Sequence, residues 1–417
     1  MKKFCTLLTL FCLVPACASA QWYLFPGKKK QTEPKTAVRD SASARVRPDS
    51  TATLPADGRG LPVADADSLK GALQEAEDLF MLDIPEVIRI GLALPLQASA
   101  GRASENFLDM YSGALLALRD LGEDGIKADL QVFDTADGKS APPASLYTAS
   151  DVILGPVNVQ DIRMALPQCG ADKYLISPLD PKAAELAAGA RVIQSPTPWT
   201  AQTDDLVRWV AQDCLPGEEV YVVRDTAVTV SGEQSDYLLD RLRESGVRFR
   251  SVGAANLIPF PATGKVRVLI ASDRDNFISG TVRSLSIEGA RNNNVILYGT
   301  SRIRTNGTGQ ADLHNVNAHL ATAYFIDYDD PAVQRFIFAY RALFNNEPGS
   351  FAFQGYDAMH YFVTMCAKYG RQWYKKLPAY REKGLQSDFR FTEEAPRVNQ
   401  AVRRIIYSPD LSVAPAA

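Results

Sequence analysis

Three histidines, His314, His319 and His360, are the only imidazoles in the 417 residues. Two metal ligands on one helix face need a spacing of four, but His314 and His319 lie five apart with no acidic residue between them at metal-site spacing. His360 stands between Met359 and Tyr361 in an apolar helical run and reads as a packed core or surface histidine. No metal site is expected. The sequence has no Gly-x-Ser-x-Gly, no Walker-type Gly-Lys-Ser/Thr and no Gly-x-Gly-x-x-Gly. Asn306-Gly307-Thr308-Gly309 lacks a following helix signal and reads as a loop rather than a phosphate cradle. Asp327, Asp329 and Asp330 precede Pro331 at a helix start, where acidic side chains favour the helix dipole. Phe336, Tyr340 and Phe344 recur every fourth residue and read as one packed helix face. No nucleophile, base and orienting group can be named together. The chain is therefore not expected to be an enzyme, with no catalytic residues and no cofactor.

The N-terminus has the layout of a secretory leader. Lys2 and Lys3 precede an apolar run from Phe4 to Val14, and Ala18-Ser19-Ala20 offers a small-x-small cleavage site. Residues 1–20 are read as a signal peptide. Val14-Pro15-Ala16-Cys17 is a competing lipid-anchor site at Cys17, but Pro15 suits it poorly. The run is too short to span a bilayer, which needs about 20 apolar residues, and no later stretch reaches that length. Beyond the leader only Cys169, Cys214 and Cys366 remain. Their wide spacing makes neither a disulfide framework nor a metal motif, and they read as buried apolar side chains.

The net charge of −3 becomes −5 once Lys2 and Lys3 leave with the leader, so no basic field exists to hold nucleic acid. Residues 21–84 are rich in Lys and Arg first, then in Ser, Thr, Ala, Pro, Asp and Gly, and lack apolar periodicity. They read as a flexible tether with a short helix near Asp67–Leu82.

Any binding chemistry must then come from loops positioned by regular elements. From Val87 onward strands and helices alternate. Apolar strands begin at Val87, Ala128, Asp151, Lys173 and Arg191, and a second series begins at Glu219, Val247, Lys265, Asn294 and His319. Helices fill the gaps at Ser104–Leu121, Val159–Cys169, Trp199–Cys214, Glu233–Glu244 and Asn276–Gly289. This alternation predicts an α/β fold of two doubly wound parallel-sheet lobes. Ligands of such sheets bind outside the carboxyl ends of the strands. The candidate cleft lining is therefore Gln97, Ser99, Asn158, Ser177, Asp180, Thr197, Ser231 and Arg274.

The order of elements resembles the type I periplasmic binding proteins, in the branch of the branched-chain amino acid receptors. The resemblance spans about residues 87–410. It is carried by Ile90-Gly91-Leu92-Ala93-Leu94-Pro95-Leu96, by Asp151-Val152-Ile153-Leu154-Gly155-Pro156-Val157, by Leu175-Ile176-Ser177-Pro178, by Gly355-Tyr356-Asp357-Ala358 at the start of a late helix, and by Asn399 with the strand Val402–Tyr407. It implies three crossings between the lobes, near Pro198, Phe325 and Asp388. Lobe 1 would then hold residues 85–198 and 325–388, and lobe 2 residues 199–324 and 389–417. It also implies Venus-flytrap closure on a small ligand, with an ABC transporter permease as partner.

The departures are as informative. Amino-acid-binding relatives hold the ligand carboxylate with a Ser after the Gly-Pro strand and a Ser or Thr after the next. This chain has Asn158-Val159 and Leu179-Asp180-Pro181 there. Asp180 would repel a carboxylate, whereas Arg274 and Arg302 would attract an anion. Two functions remain. One is an exported solute-binding protein for an amino-acid-like or other small polar or anionic molecule. The other is a ligand-independent envelope protein that regulates a cell-wall synthase.

Overall fold

The computed structural model describes residues 82–416, apart from 99–100, 137–139, 187–190, 216, 228–231, 262–263 and 305–306. The expected leader, the cleavage sites and almost all of the tether lie outside the described residues. Among those described, no helix is long and apolar enough to cross a membrane.

The chain opens with β1 (Ile88–Leu94), α1 (Glu105–Glu123), β2 (Ala128–Asp134), a short α2 (Ala144–Ala149), β3 (Val152–Leu154), α3 (Val159–Ala165), β4 (Leu175–Ser177) and β5 (Val192–Gln194). A second series follows: α4 (Trp199–Asp213), β6 (Val220–Arg224), α5 (Glu233–Glu244), β7 (Phe249–Val252), β8 (Val266–Ala271), α6 (Asp275–Asn292), β9 (Val295–Thr300), α7 (Gln310–Asn315) and β10 (His319–Thr322). The remainder is α8 (Pro331–Phe344), α9 (Ser350–Tyr369), the hairpin β11 (Glu382–Lys383) and β12 (Asp388–Phe389), β13 (Arg397–Val398), β14 (Arg403–Tyr407) and β15 (Val413–Ala416).

Two sheets result. The first has the order β13-β5-β4-β3-β1-β2, parallel throughout. The second has the order β15-β14-β10-β9-β8-β6-β7, parallel except where β14 and β15 join antiparallel at one edge. Counted within its own lobe, each parallel set runs 2-1-3-4-5 from its outer edge. Each therefore has a switch point, between β1 and β3 and between β6 and β8, where successive helices leave on opposite faces. Runs such as Leu92-Ala93-Leu94 and Val222-Val223 are buried because helices cover both faces. The fold is the expected pair of doubly wound lobes joined by three crossings.

The third crossing lies elsewhere than expected. Arg397–Val398 pairs with Ile193–Gln194 in the first sheet, and Phe389 and Phe391 are buried in that lobe's core beside Tyr361. The chain crosses after Val398, not near Asp388, and residues 389–398 belong with lobe 1. Two smaller differences have local causes. A six-residue helix, α7, does follow Gly309, with no polar cap side chain to announce it. Gly355 lies one turn inside α9 rather than at its start.

The core of lobe 1 depends on α1 and α9 packing almost backbone to backbone. A Cβ on Gly113 would stand 1.9 Å from the Ala352 carbonyl oxygen, and one on Gly355 2.0 Å from that of Met110. Glycine is required there by close approach. The helix-start carboxylate Asp330 caps α8 by accepting from Ala332 N at 2.8 Å. Phe336 and Tyr340 are buried as expected.

Gly355→Val should cost at least about 2 kcal/mol of stability in denaturant unfolding, because the helices must separate. Gly280→Ala, on the open side of α6 with nothing within 4 Å of the added carbon, should be neutral or stabilising. Equal effects at the two positions would contradict this packing account.

Candidate functional site

The histidines do not converge. His314 Nδ1 is 2.8 Å from the Ser408 carbonyl, His319 Nδ1 is 2.8 Å from that of Asn317, and His360 Nδ1 is 2.9 Å from Glu382 Oε1. The three cysteines are free thiols. Burial raises the Cys169 thiol to about 11 and the Cys366 thiol to about 12, which keeps both protonated and unreactive.

The candidate lining residues that are described sit in segments that follow the carboxyl ends of strands in the two sheets. In lobe 1 the loop after β1 is fastened by Asp134, the last residue of β2. Its carboxylate accepts from Gln97 N at 3.0 Å, Ala98 N at 2.9 Å and Ala136 N at 2.9 Å. Burial opposes the charge on Asp134, but these donors outweigh it and hold the carboxyl below its usual range. Gln97 has a positive φ of 56° and is half-buried. Ser99 and Ser231 lie outside the described residues.

After β3 the chain turns at Gly155, where φ is +94° and a Cβ would meet the Ala93 carbonyl oxygen at 2.2 Å. Asn158 then caps α3. Its Oδ1 accepts from Asp161 N at 2.9 Å and its Nδ2 donates to Asp161 Oδ2 at 2.7 Å. Asp180, from the loop after β4, reaches the same place. One carboxylate oxygen accepts from Val159 N at 3.0 Å and the other from Lys182 N at 2.9 Å. Asn158 and Asp180 are thus brought together, but both are engaged in shaping the rim. Asp180 supplies a carboxylate to the backbone from within the chain. Ser177 is fully buried, and its Oγ has no partner among the described residues. Thr197 Oγ1 donates to the Ala401 carbonyl at 2.6 Å, which makes it part of a crossing.

In lobe 2 the two arginines expected to attract an anion are both paired within the lobe. Arg274 holds Asp225 through two bonds of 2.6 Å, and the Asp225 side chain is only 3% exposed. The Arg274 hydrogen bond is the main reason the Asp225 carboxyl lies below its usual range. Arg302 is likewise paired, with Asp275 at 3.1 Å and with the Asp273 carbonyl. Asp273 in turn accepts from Gln234 N and Ser235 N at the start of α5.

One cation at this rim escaped the sequence reading. Arg304 lies four residues beyond Thr300, the last residue of β9. Its guanidinium lies 5.7 Å from the Tyr324 ring centroid, and among the described residues no carboxylate pairs with it. Tyr324 follows β10 and is 46% exposed. An arginine over an exposed aromatic ring can take an anionic or planar group.

Asp134→Ala should destabilise the chain more than Asp180→Ala, because three backbone N–H groups lose an acceptor rather than two. About 1 kcal/mol is expected for Asp180, the size of a lost cap, and about 2 kcal/mol for Asp134. The Asp134 contribution is present above the ordinary carboxylate pKa and is lost as pH falls through the depressed value of the folded state. Denaturant unfolding at pH 7 and at pH 3 checks both statements. A pH response unchanged by Asp134→Ala would contradict the second.

No protein-family model matches the chain, and no curated protein matches it. Solved structures do. A Rhodospirillum rubrum protein described as a branched-chain amino acid ABC transporter superposes with a TM-score of 0.56 at 17% identity, over 80% of this chain and 100% of that one. An ABC transporter substrate-binding protein from Desulfitobacterium hafniense, in complex with Leu, superposes at 0.47 with 17% identity, over 79% and 100%. With its two 2-1-3-4-5 sheets and three crossings, the chain has the fold of the type I periplasmic binding proteins.

Proposed function

We propose that this chain is an exported solute-binding protein that captures a small ligand between its two lobes and presents it to a partner such as an ABC transporter permease. The observation that carries the proposal is the pair of doubly wound sheets, whose switch points put two loop-built rims beside the three crossings. The leader-like pattern of residues 1–20 supports a periplasmic location.

The rim chemistry argues for the class of solute. Lobe 1 contributes carboxylates, Asp134 and Asp180, already bonded to backbone, and lobe 2 contributes Arg304 beside Tyr324. A ligand carboxylate would meet Asp180 in lobe 1, so α-amino acid capture by hydroxyls of that lobe is disfavoured. An anionic or aromatic group directed at Arg304 and Tyr324 fits better. Gln97, Ser99 and Ser231 remain candidates for further polar contacts, Ser177 is buried beneath the rim, and Asn158, Asp180, Thr197 and Arg274 shape the walls.

A second reading has its own support. Arg274 and Arg302 are both paired inside their own lobe, which suits an envelope interaction protein that acts on a cell-wall synthase without a ligand.

A thermal-unfolding screen of the purified chain separates them. The panel holds amino acids, aromatic acids, nucleobases, small anions, short peptides and cell-wall fragments. A ligand at 100 times its Kd adds about 2.7 kcal/mol of stability. The solute reading predicts a dose-dependent rise with one anionic or aromatic class, lost in Arg304→Ala. A flat response, with ligand-free recovery of a synthase from envelope extract, favours the second reading.

A further inference from the structure

The three crossings are residues 195–198, 323–330 and 399–402, between β5 and α4, β10 and α8, and β13 and β14. In a two-lobed protein such segments absorb the φ/ψ changes that let the lobes move. Here they are tied to one another by buried side chains.

Asn399 is 1% exposed and uses all of its hydrogen-bonding capacity. Its Nδ2 donates to the Ser195 carbonyl at 3.0 Å and the Asp388 carbonyl at 2.8 Å. Its Oδ1 accepts from Arg390 N and Ala401 N, each at 3.0 Å. Its own backbone N donates to the Gln194 carbonyl at 3.0 Å. With the Thr197–Ala401 bond, this fixes the first crossing to the third.

Arg403, whose side chain is 10% exposed, fixes the third crossing to the second. It donates to the Phe325 carbonyl at 2.5 Å, to the Leu385 carbonyl at 3.0 Å, to the Gly384 carbonyl at 2.6 Å and to Asp388 Oδ1 at 2.6 Å. The Phe325 backbone N closes the loop by donating to the Gln386 carbonyl at 2.9 Å. The turn that supplies these acceptors is anchored on α9. Buried Asp357 accepts from Leu385 N, Gln386 N and Ser387 N at 2.7, 2.8 and 2.9 Å.

We propose that the turn 384–388, clamped between Asp357 and Arg403 and joined through Asn399 to the first crossing, locks the three crossings into one bracket that sets the angle between the lobes before any ligand arrives. Bending one crossing alone would break several of these hydrogen bonds together and leave a largely buried guanidinium without its acceptors. The bracket stands whether or not the solute reading holds, since every bond in it lies within the chain.

Hydrogen exchange and small-angle scattering on the full chain test it, comparing wild type with R403M and R403K. R403K keeps the charge but cannot reach all four acceptors, so it serves if R403M fails to fold. The amides of Phe325, Leu385, Gln386 and Asn399 should exchange in wild type as slowly as those of Leu92 and Leu297 in the sheets. In the variants they should exchange at least about tenfold faster while the sheet amides are unchanged. The scattering should show a wider spread of interlobe distances. Loop-like exchange at these amides in wild type, or an interlobe distribution unchanged by substitution at Arg403, would overturn the proposal.

Discussion

The guanidinium of Arg403 is the group on which the arrangement of this protein turns. A buried charge is tolerated only where acceptors surround it. Here the acceptors come from the second crossing and a turn of lobe 1, while Arg403 itself begins a strand of lobe 2. Satisfying one side chain therefore draws distant parts of the sequence to one point. Asn399 repeats the same logic with a neutral amide whose two donors and two acceptors are all engaged. The sheets build each lobe, but these two residues relate the lobes to each other.

At the rims the same principle works on a smaller scale. Strand ends leave backbone N–H groups without partners, and in this protein carboxylates take them up. Asp134 holds the loop after β1, Asp180 the start of α3, and Asp273 the start of α5. The rims are thereby shaped by residues that a ligand would otherwise meet as free acceptors. Arg274 and Arg302 are neutralised by neighbours in the same way. Arg304 with Tyr324 is the contrast: a cation beside an exposed ring with no carboxylate partner among the described residues.

Much of this was legible in the sequence, and what was not has physical reasons. Apolar runs such as Ile90–Leu94 and Val266–Ala271 and the amphipathic helices between them announce the two series directly. The third crossing was misplaced because Arg397–Val398 is a strand of only two residues, without a periodic pattern, and because Phe389 and Phe391 reveal their lobe only through packing on Tyr361. Site residues were harder. Residue type and strand-end position select Asn158, Asp180 and Arg274, each of which does follow the carboxyl end of a strand. Whether their polar atoms remain free depends on partners such as Asp225, 49 positions from Arg274, which no local pattern reveals. Arg304 carries no local signal, because its partner ring, Tyr324, lies on another strand end 20 positions away.

A crystal structure of the chain with the strongest stabiliser from a ligand screen would test the central claim, capture between the lobes, most directly. The account predicts the ligand between the two carboxyl rims, with an anionic or aromatic group against Arg304 and Tyr324 and with Asp180 still bonded to Val159. A ligand bound elsewhere on the surface, or rims packed together with no room between them, would contradict it.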